Sequence, residues 1–233
     1  MQKAIQLDPP GDFGAAMPSV GQIITGLTNE IVQIKSSEPL YRAAWSRHAV
    51  LPEKAPRPYR FGPPDSLRAA DGTVPFWWLY LAQLPETTIW EARFCLNDVT
   101  RPGTYYIDPG AEREGLIATL AFPRTLRLWN LNGEASSRLG IYDSLSSPDY
   151  EWCQEFGSRM HEAMTQIEPA VRPDGFIYPS RRVRGNTAIV VSSEAVESMR
   201  AQVTSQCERF VDHKVYEPLC AHPLRVPPPP PVA

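Results

Sequence analysis

Several patterns are missing from this chain, and each absence closes off a class of function. The longest apolar run, Val74 to Ala82, falls far short of the roughly 20 residues that a membrane-spanning helix needs. The four cysteines, Cys95, Cys153, Cys207 and Cys220, form no CxxC pair, so free thiols, mostly buried, are expected in place of a disulfide framework. The four histidines, His48, His161, His213 and His222, are scattered and stand in no HxxxH or HExxH frame; no metal site is expected. There is no GxGxxG turn after a first strand and no GxSxG elbow, which excludes a Rossmann-type redox domain and a serine hydrolase. Nor is there an excess of positive charge. With 23 Lys and Arg against 26 Asp and Glu the net charge is −3, so no whole-molecule field draws the protein to nucleic acid or to an acidic membrane. Any anion site has to be local.

What the chain does have is proline: 25 residues in 233, about twice the average usage. That favours many short elements joined by fixed turns over a few long helices. A hydrophobic share of 42% and a charged share of 21% are those of a globular protein with one sizeable core. The opening MQKAIQLDPPGDFG meets Pro-Pro-Gly before the apolar core of a signal peptide develops. The expected location is therefore the cytoplasm, or a target cell reached without a cleavable signal.

Along the chain, residues 1–37 read as an N-terminal extension with one short helix near Gln22 to Lys35. LYRAAW (40–45) and VPFWWLYLAQ (74–83) read as core strands, with a Pro/Gly-rich loop between them. PETTIWEARF (85–94) reads as a helix opening on proline. TYYIDP, GLIATLAF and TLRLWNL are expected strands. SSPDYEWCQEFGSRMHEAM (146–164) is the clearest helix, its apolar stripe marked by Tyr150, Cys153, Met160 and Met164. GFIYPS and NTAIVVSS are strands again, SEAVESMRAQV a helix, and the five prolines Pro227 to Pro231 an extended, frayed tail. The sum is an α+β, strand-rich mixed fold with peripheral helices: a main domain over 38–192 and a C-terminal extension over 193–233.

Four places put polar residues where packing would rather have none. Arg60 sits in YRFGPP, a Gly/Pro loop flanked by aromatics, as a phosphate or carboxylate clamp or as a surface arginine. Tyr80 follows two tryptophans in WWLYLAQ and taken alone is a core tyrosine, although a phenol there can stack on a planar ring. Glu91 in TTIWEARF is expected near the start of a helix, where the helix dipole favours negative charge. Its functional role would be a pocket carboxylate facing an electron-poor sugar carbon. Ser180 in GFIYPSRR ends an apolar strand with Arg181, Arg182 and Arg184 behind it. With no histidine nearby, its hydroxyl suits ligand positioning better than nucleophilic attack.

In this order the stretches LYRAAW (40–45), YRFGPP (59–64), LYLAQLPETTIWEARF (79–94) and GFIYPSRRVRGNTAIVV (175–191) resemble the RES-domain family, named for its Arg, Glu and Ser. The resemblance spans roughly 38–192 and departs from the family in the loop before Asp65, where Pro58 and Tyr59 precede Arg60 and Gly62 replaces an asparagine. It implies a fold similar to the ADP-ribosyltransferase toxins and an activity on NAD+ as substrate, with no resident cofactor. The implied catalytic residues are Glu91, Arg60 and Ser180; Arg42, Tyr80 and Arg181 would bind the dinucleotide. It also implies an antitoxin or immunity protein covering the active site. The expected function is a toxin that cleaves the nicotinamide–ribose bond, as a glycohydrolase or phosphorylase. Transfer of ADP-ribose to a protein target and a non-catalytic binding module on the same fold are the alternatives. The residue types suit the chemistry: cleavage builds an oxocarbenium-like charge that a carboxylate stabilises, and a neutral leaving group needs no histidine acid.

Overall fold

The structure, a computed structural model, describes residues 17–55 and 59–230; expectations that fall on residues 1–16 and on Pro231 lie outside them. Among the described residues the chain runs α1 (Val20–Leu27), β1 (Ile31–Ile34), β2 (Leu40–Ala44), β3 (Trp78–Ala82), α2 (Pro85–Glu91), β4 (Cys95–Asn97), β5 (Tyr105–Ile107) and α3 (Pro109–Glu114). It continues through β6 (Leu116–Ala121), β7 (Leu126–Asn130), α4 (Glu134–Arg138), α5 (Tyr150–Thr165), β8 (Gly175–Pro179), β9 (Thr187–Ser192), α6 (Ser193–Met199), β10 (Thr204–Arg209) and α7 (Tyr216–Ala221). The α+β, strand-rich reading with peripheral helices holds.

Eight strands form one sheet in the order β1-β7-β8-β9-β3-β2-β6-β10, and β4 and β5 form a separate hairpin. Every pairing in the large sheet is antiparallel except β7 with β8. The central strands are buried on both faces, which explains their near-continuous apolar sequences. Phe176 and Tyr178 of β8 and Val190 of β9 pack with α1 and α5, while Ile177, Ile189 and Val191 pack with α6 on the opposite face. A third cluster gathers Ile89 of α2, Phe94, the β4–β5 hairpin and Phe210 beside Ala43 and Ile117.

Three local expectations change. Ser19 and Gln22 close α1 with a capping box, but the helix expected over Gln22 to Lys35 stops at Leu27. The β-branched Ile31, Val32 and Ile34 that follow favour extended backbone and join the sheet as β1. Tyr150, placed in the apolar stripe of α5, is 47% exposed; the buried stripe is Cys153, Phe156, Met160, Ala163 and Met164. The tail is tied down for part of its length: the Val226 N–H donates to the Tyr105 carbonyl at 2.8 Å and the Tyr105 N–H to the Leu224 carbonyl at 3.1 Å.

Two features of this architecture place the site. The ladder between β2 and β3 contains a single partnered pair, Tyr41 with Ala82, so the two strands diverge. Second, α5 comes close to the loop after Tyr59: a methyl added at Gly157 would lie 2.0 Å from the Phe61 carbonyl oxygen. Gly157→Ala is therefore expected to push the Arg60–Phe61 segment off α5. The expected loss is about 2 kcal/mol of stability, a fall of roughly 4–8 °C in melting temperature for a chain of this size, measured by thermal unfolding.

Candidate active site

Where β2 and β3 part, a cavity of about 320 Å³ opens, reached by residues of β2, β3, the 59–60 loop, the end of α2 and the β8–β9 connection. Its volume lies at the lower end of small-molecule sites. Glu91 is the single carboxylate among the lining residues, which include five arginines: Arg42, Arg60, Arg93, Arg181 and Arg182. A protein of net charge −3 thus concentrates positive charge in one concavity.

Glu91 is the last residue of α2, not near its start as the sequence suggested. Helix ends attract the opposite sign of charge, so this position opposes a carboxylate. Its support comes from outside the helix. Ser180 Oγ donates to Glu91 Oε1 at 2.6 Å and accepts the N–H groups of Arg182 at 3.2 Å and Val183 at 3.0 Å. Ser180 is 6% exposed, and its single proton is spent on Glu91. The β8–β9 connection is fastened to α2 a second time, by Asn186 Nδ2 donating to Thr87 Oγ1 at 2.8 Å. Gly185, with φ of +90°, makes the left-handed turn that this tight loop requires.

The arginines are held by carbonyls and aromatic rings. Arg42 donates from Nε to the Ala49 carbonyl at 2.8 Å and from Nη1 to the Tyr80 carbonyl at 2.7 Å. Burial lowers its pKa from the usual guanidinium range, an effect opposed by the Tyr59 and Tyr80 phenols. Arg60, 6% exposed, donates to Cys153 Sγ at 3.3 Å and to the carbonyls of Leu145 and Ser147. Its Nη1 is buried without a partner. An unpartnered buried donor on a charged group is costly; among the described residues Arg225 Nε shares this state outside the cavity. Tyr80 accepts the Phe61 N–H at 2.9 Å, which ties the Arg60 loop to β3; burial raises its pKa, so the phenol stays protonated. Arg181 lies over the Tyr150 ring at 5.5 Å. Burial, then the charges of Arg181 and Arg93, lower the pKa of Arg182. Among the described residues none of these five arginines forms an ion pair with a carboxylate.

Residues 39–212 match the RES domain family. The chain belongs to that family. Among solved structures, a chain of the M. tuberculosis MbcT–MbcA toxin–antitoxin complex is similar, with a TM-score of 0.53 and 17% identity over 87% of this chain and 97% of that one. No curated protein matches. The RES match takes in every expected site residue, and the structure brings five of the six, Arg42, Arg60, Tyr80, Glu91 and Arg181, to the wall of one cavity. Ser180 stands one bond behind Glu91.

Other residues in and around this RES cavity carry no local sequence signal. Asn186 and Thr87 position the loop through a contact 99 residues apart in sequence, for which no local pattern exists. Tyr150 left no trace of its role because its spacing matched the helix stripe. Arg93 is the most informative of these. It adopts φ of +65°, and its N–H donates to the Trp90 carbonyl while that of Phe94 donates to the Ile89 carbonyl. These two bonds make the helix-terminating turn that glycine usually provides. An arginine there bears a left-handed backbone penalty of roughly 1–2 kcal/mol, and it stands on the cavity wall. Strain of this kind is commonly kept at functional positions.

Arg93→Gly is expected to raise the melting temperature by roughly 1–3 °C, since the relieved strain exceeds the added chain entropy of about 0.5–1 kcal/mol. A fall on thermal unfolding would show that the Arg93 side chain stabilises the fold.

Proposed function

We propose that this RES-domain protein is a toxin that consumes NAD+ as substrate, with no resident cofactor, by breaking the bond between nicotinamide and ribose. The observation that carries the reading is the pairing of one buttressed carboxylate, Glu91 on Ser180 Oγ at 2.6 Å, with arginines that have no carboxylate partner among the described residues, above all Arg60 with its orphaned Nη1. A dinucleotide presents the complementary groups: a pyrophosphate for the guanidinium groups and a ribose whose C1 becomes electron-poor as the base departs.

In this reading Arg42 and Arg60 hold the pyrophosphate, assisted by Arg181. Tyr80, fixed by the Phe61 N–H, shapes the slot for the nicotinamide ring. Glu91 accepts a ribose hydroxyl and stabilises the developing oxocarbenium charge. The bonding pair leaves with the ring nitrogen, so nicotinamide departs neutral and needs no proton. Water or phosphate then bonds to C1 in place of nicotinamide, and the proton that an attacking water sheds passes to solvent. Ser180 is a positioning residue, because its proton is committed to Glu91. The toxin assignment rests on family membership and on the similar chain's place in a toxin–antitoxin complex. The same likeness supports an antitoxin or immunity protein as partner, seated over the cavity mouth, where Trp45 and Tyr150 are 41% and 47% exposed. The site of action is the cytoplasm, of the host or of a target cell. Among the described residues no helix is long and apolar enough to cross a membrane.

The test is incubation of the purified protein with NAD+, with and without phosphate, following nicotinamide by chromatography. Release is expected, and Glu91→Ala should reduce it by at least about a hundredfold. Retention of full activity in that variant would remove Glu91 from the chemistry. Phosphate dependence separates phosphorolysis from hydrolysis, and release only with an added protein acceptor would indicate ADP-ribosyl transfer. Ser180→Ala is expected to lower kcat about tenfold, the worth of one hydrogen bond, with little change in KM; an equal loss in KM would mean that Ser180 touches the substrate.

A further inference from the structure

The cavity wall carries a phenol, Tyr178, that the proposed cleavage does not use. Tyr178 lies on β8 two residues before Ser180, on the same side of the extended chain. It is 1% exposed and lines the cavity. Its ring packs edge-on against Phe61 at 4.9 Å and tilted against Phe176 at 6.0 Å. Other phenols of the interior are bonded: Tyr80 accepts the Phe61 N–H, Tyr105 donates to the Leu219 carbonyl and Tyr216 to Glu112. The Tyr178 hydroxyl has no hydrogen-bond partner among the described residues. It is not among the buried unpartnered side-chain atoms of the described residues, Arg60 Nη1 and Arg225 Nε, so it opens onto the cavity, where a ligand can supply a partner. Burial and the neighbouring Glu91 and Tyr80 push its pKa well above the ordinary phenol value. The group therefore keeps its proton and serves as a donor.

The chemistry of the substrate limits what this donor can meet. Resting on the cleavage reading above, Glu91 takes the ribose hydroxyl. Of the acceptors near ribose C1, the ring oxygen loses electron density as the oxocarbenium forms, so a hydrogen bond to it would oppose the reaction. The carboxamide oxygen of nicotinamide has no such conflict. We propose that the Tyr178 hydroxyl donates to this carboxamide oxygen and makes the cavity selective for a leaving group that bears it.

The experiment compares kcat/KM for NAD+ and for its thionicotinamide analogue, in which sulfur, a weak acceptor, replaces the carboxamide oxygen. The wild type is expected to prefer NAD+ by about tenfold. Tyr178→Phe keeps the ring contacts and should lose about tenfold on NAD+ and little on the analogue, so that the preference disappears while the melting temperature holds. An undiminished preference in the variant overturns the inference, and so does its absence in the wild type, a result independent of how the variant folds. Release of base from neither dinucleotide by the wild type would instead overturn the cleavage reading, and this assignment with it. Cleavage with the discrimination unchanged removes only the role of Tyr178.

Discussion

The site exists because two neighbouring strands stop pairing. After Tyr41 and Ala82 the β2–β3 ladder ends, and the Tyr80 carbonyl, an obligatory acceptor, would be stranded in the gap. Arg42 resolves this with its side chain, bonding the Tyr80 carbonyl and, across the opening, that of Ala49. One guanidinium thus replaces a piece of sheet, keeps the strands apart and puts a cation in the wall of the resulting space. Replacing it with an aliphatic residue would leave two carbonyls unsatisfied as well as a charge missing, so structure and electrostatics cannot be separated at this position.

The second constraint is the attachment of the β8–β9 connection to α2. A carboxylate at the C-terminal end of a helix stands against the helix field, and the fold answers with a hydroxyl donor from a distant loop and with arginines that form no ion pair among the described residues. Burial, and after it repulsion from Arg181 and Arg93, lowers the pKa of Arg182. An anion in the cavity relieves that repulsion, so empty and occupied forms differ in how well the charges are balanced. The positive charge of this site is local, and the protein as a whole remains acidic.

Much of the fold was legible because strands buried on both faces carry long apolar runs: WWLYLA, GFIY and AIVV each announce themselves, and α5 carries both its Asp149 cap and its stripe. The edges were less so. β10 reads TSQCER and is mostly exposed, so it lacks the alternation that marks a strand, and the β-branched cluster of β1 was absorbed into a helix reading. At the site, the residue set followed from the resemblance, whereas several individual roles did not. Glu91 was placed at the wrong end of its helix because Arg93 ends α2 without the glycine that would have marked the stop. The part played by Ser180 depends on a contact 89 residues apart, which no local pattern encodes.

That separation also orders events during synthesis. Strand β3 lies between β2 and β9, and the hydroxyl that steadies Glu91 follows β8, so a nascent chain that has released β2, β3 and α2 holds the carboxylate with Arg42 and Arg60 but without the neighbours that arrange them. The cavity closes only after residue 192 leaves the ribosome. The site is therefore completed by one of the last strands to emerge, so its carboxylate is made well before the loop that steadies it.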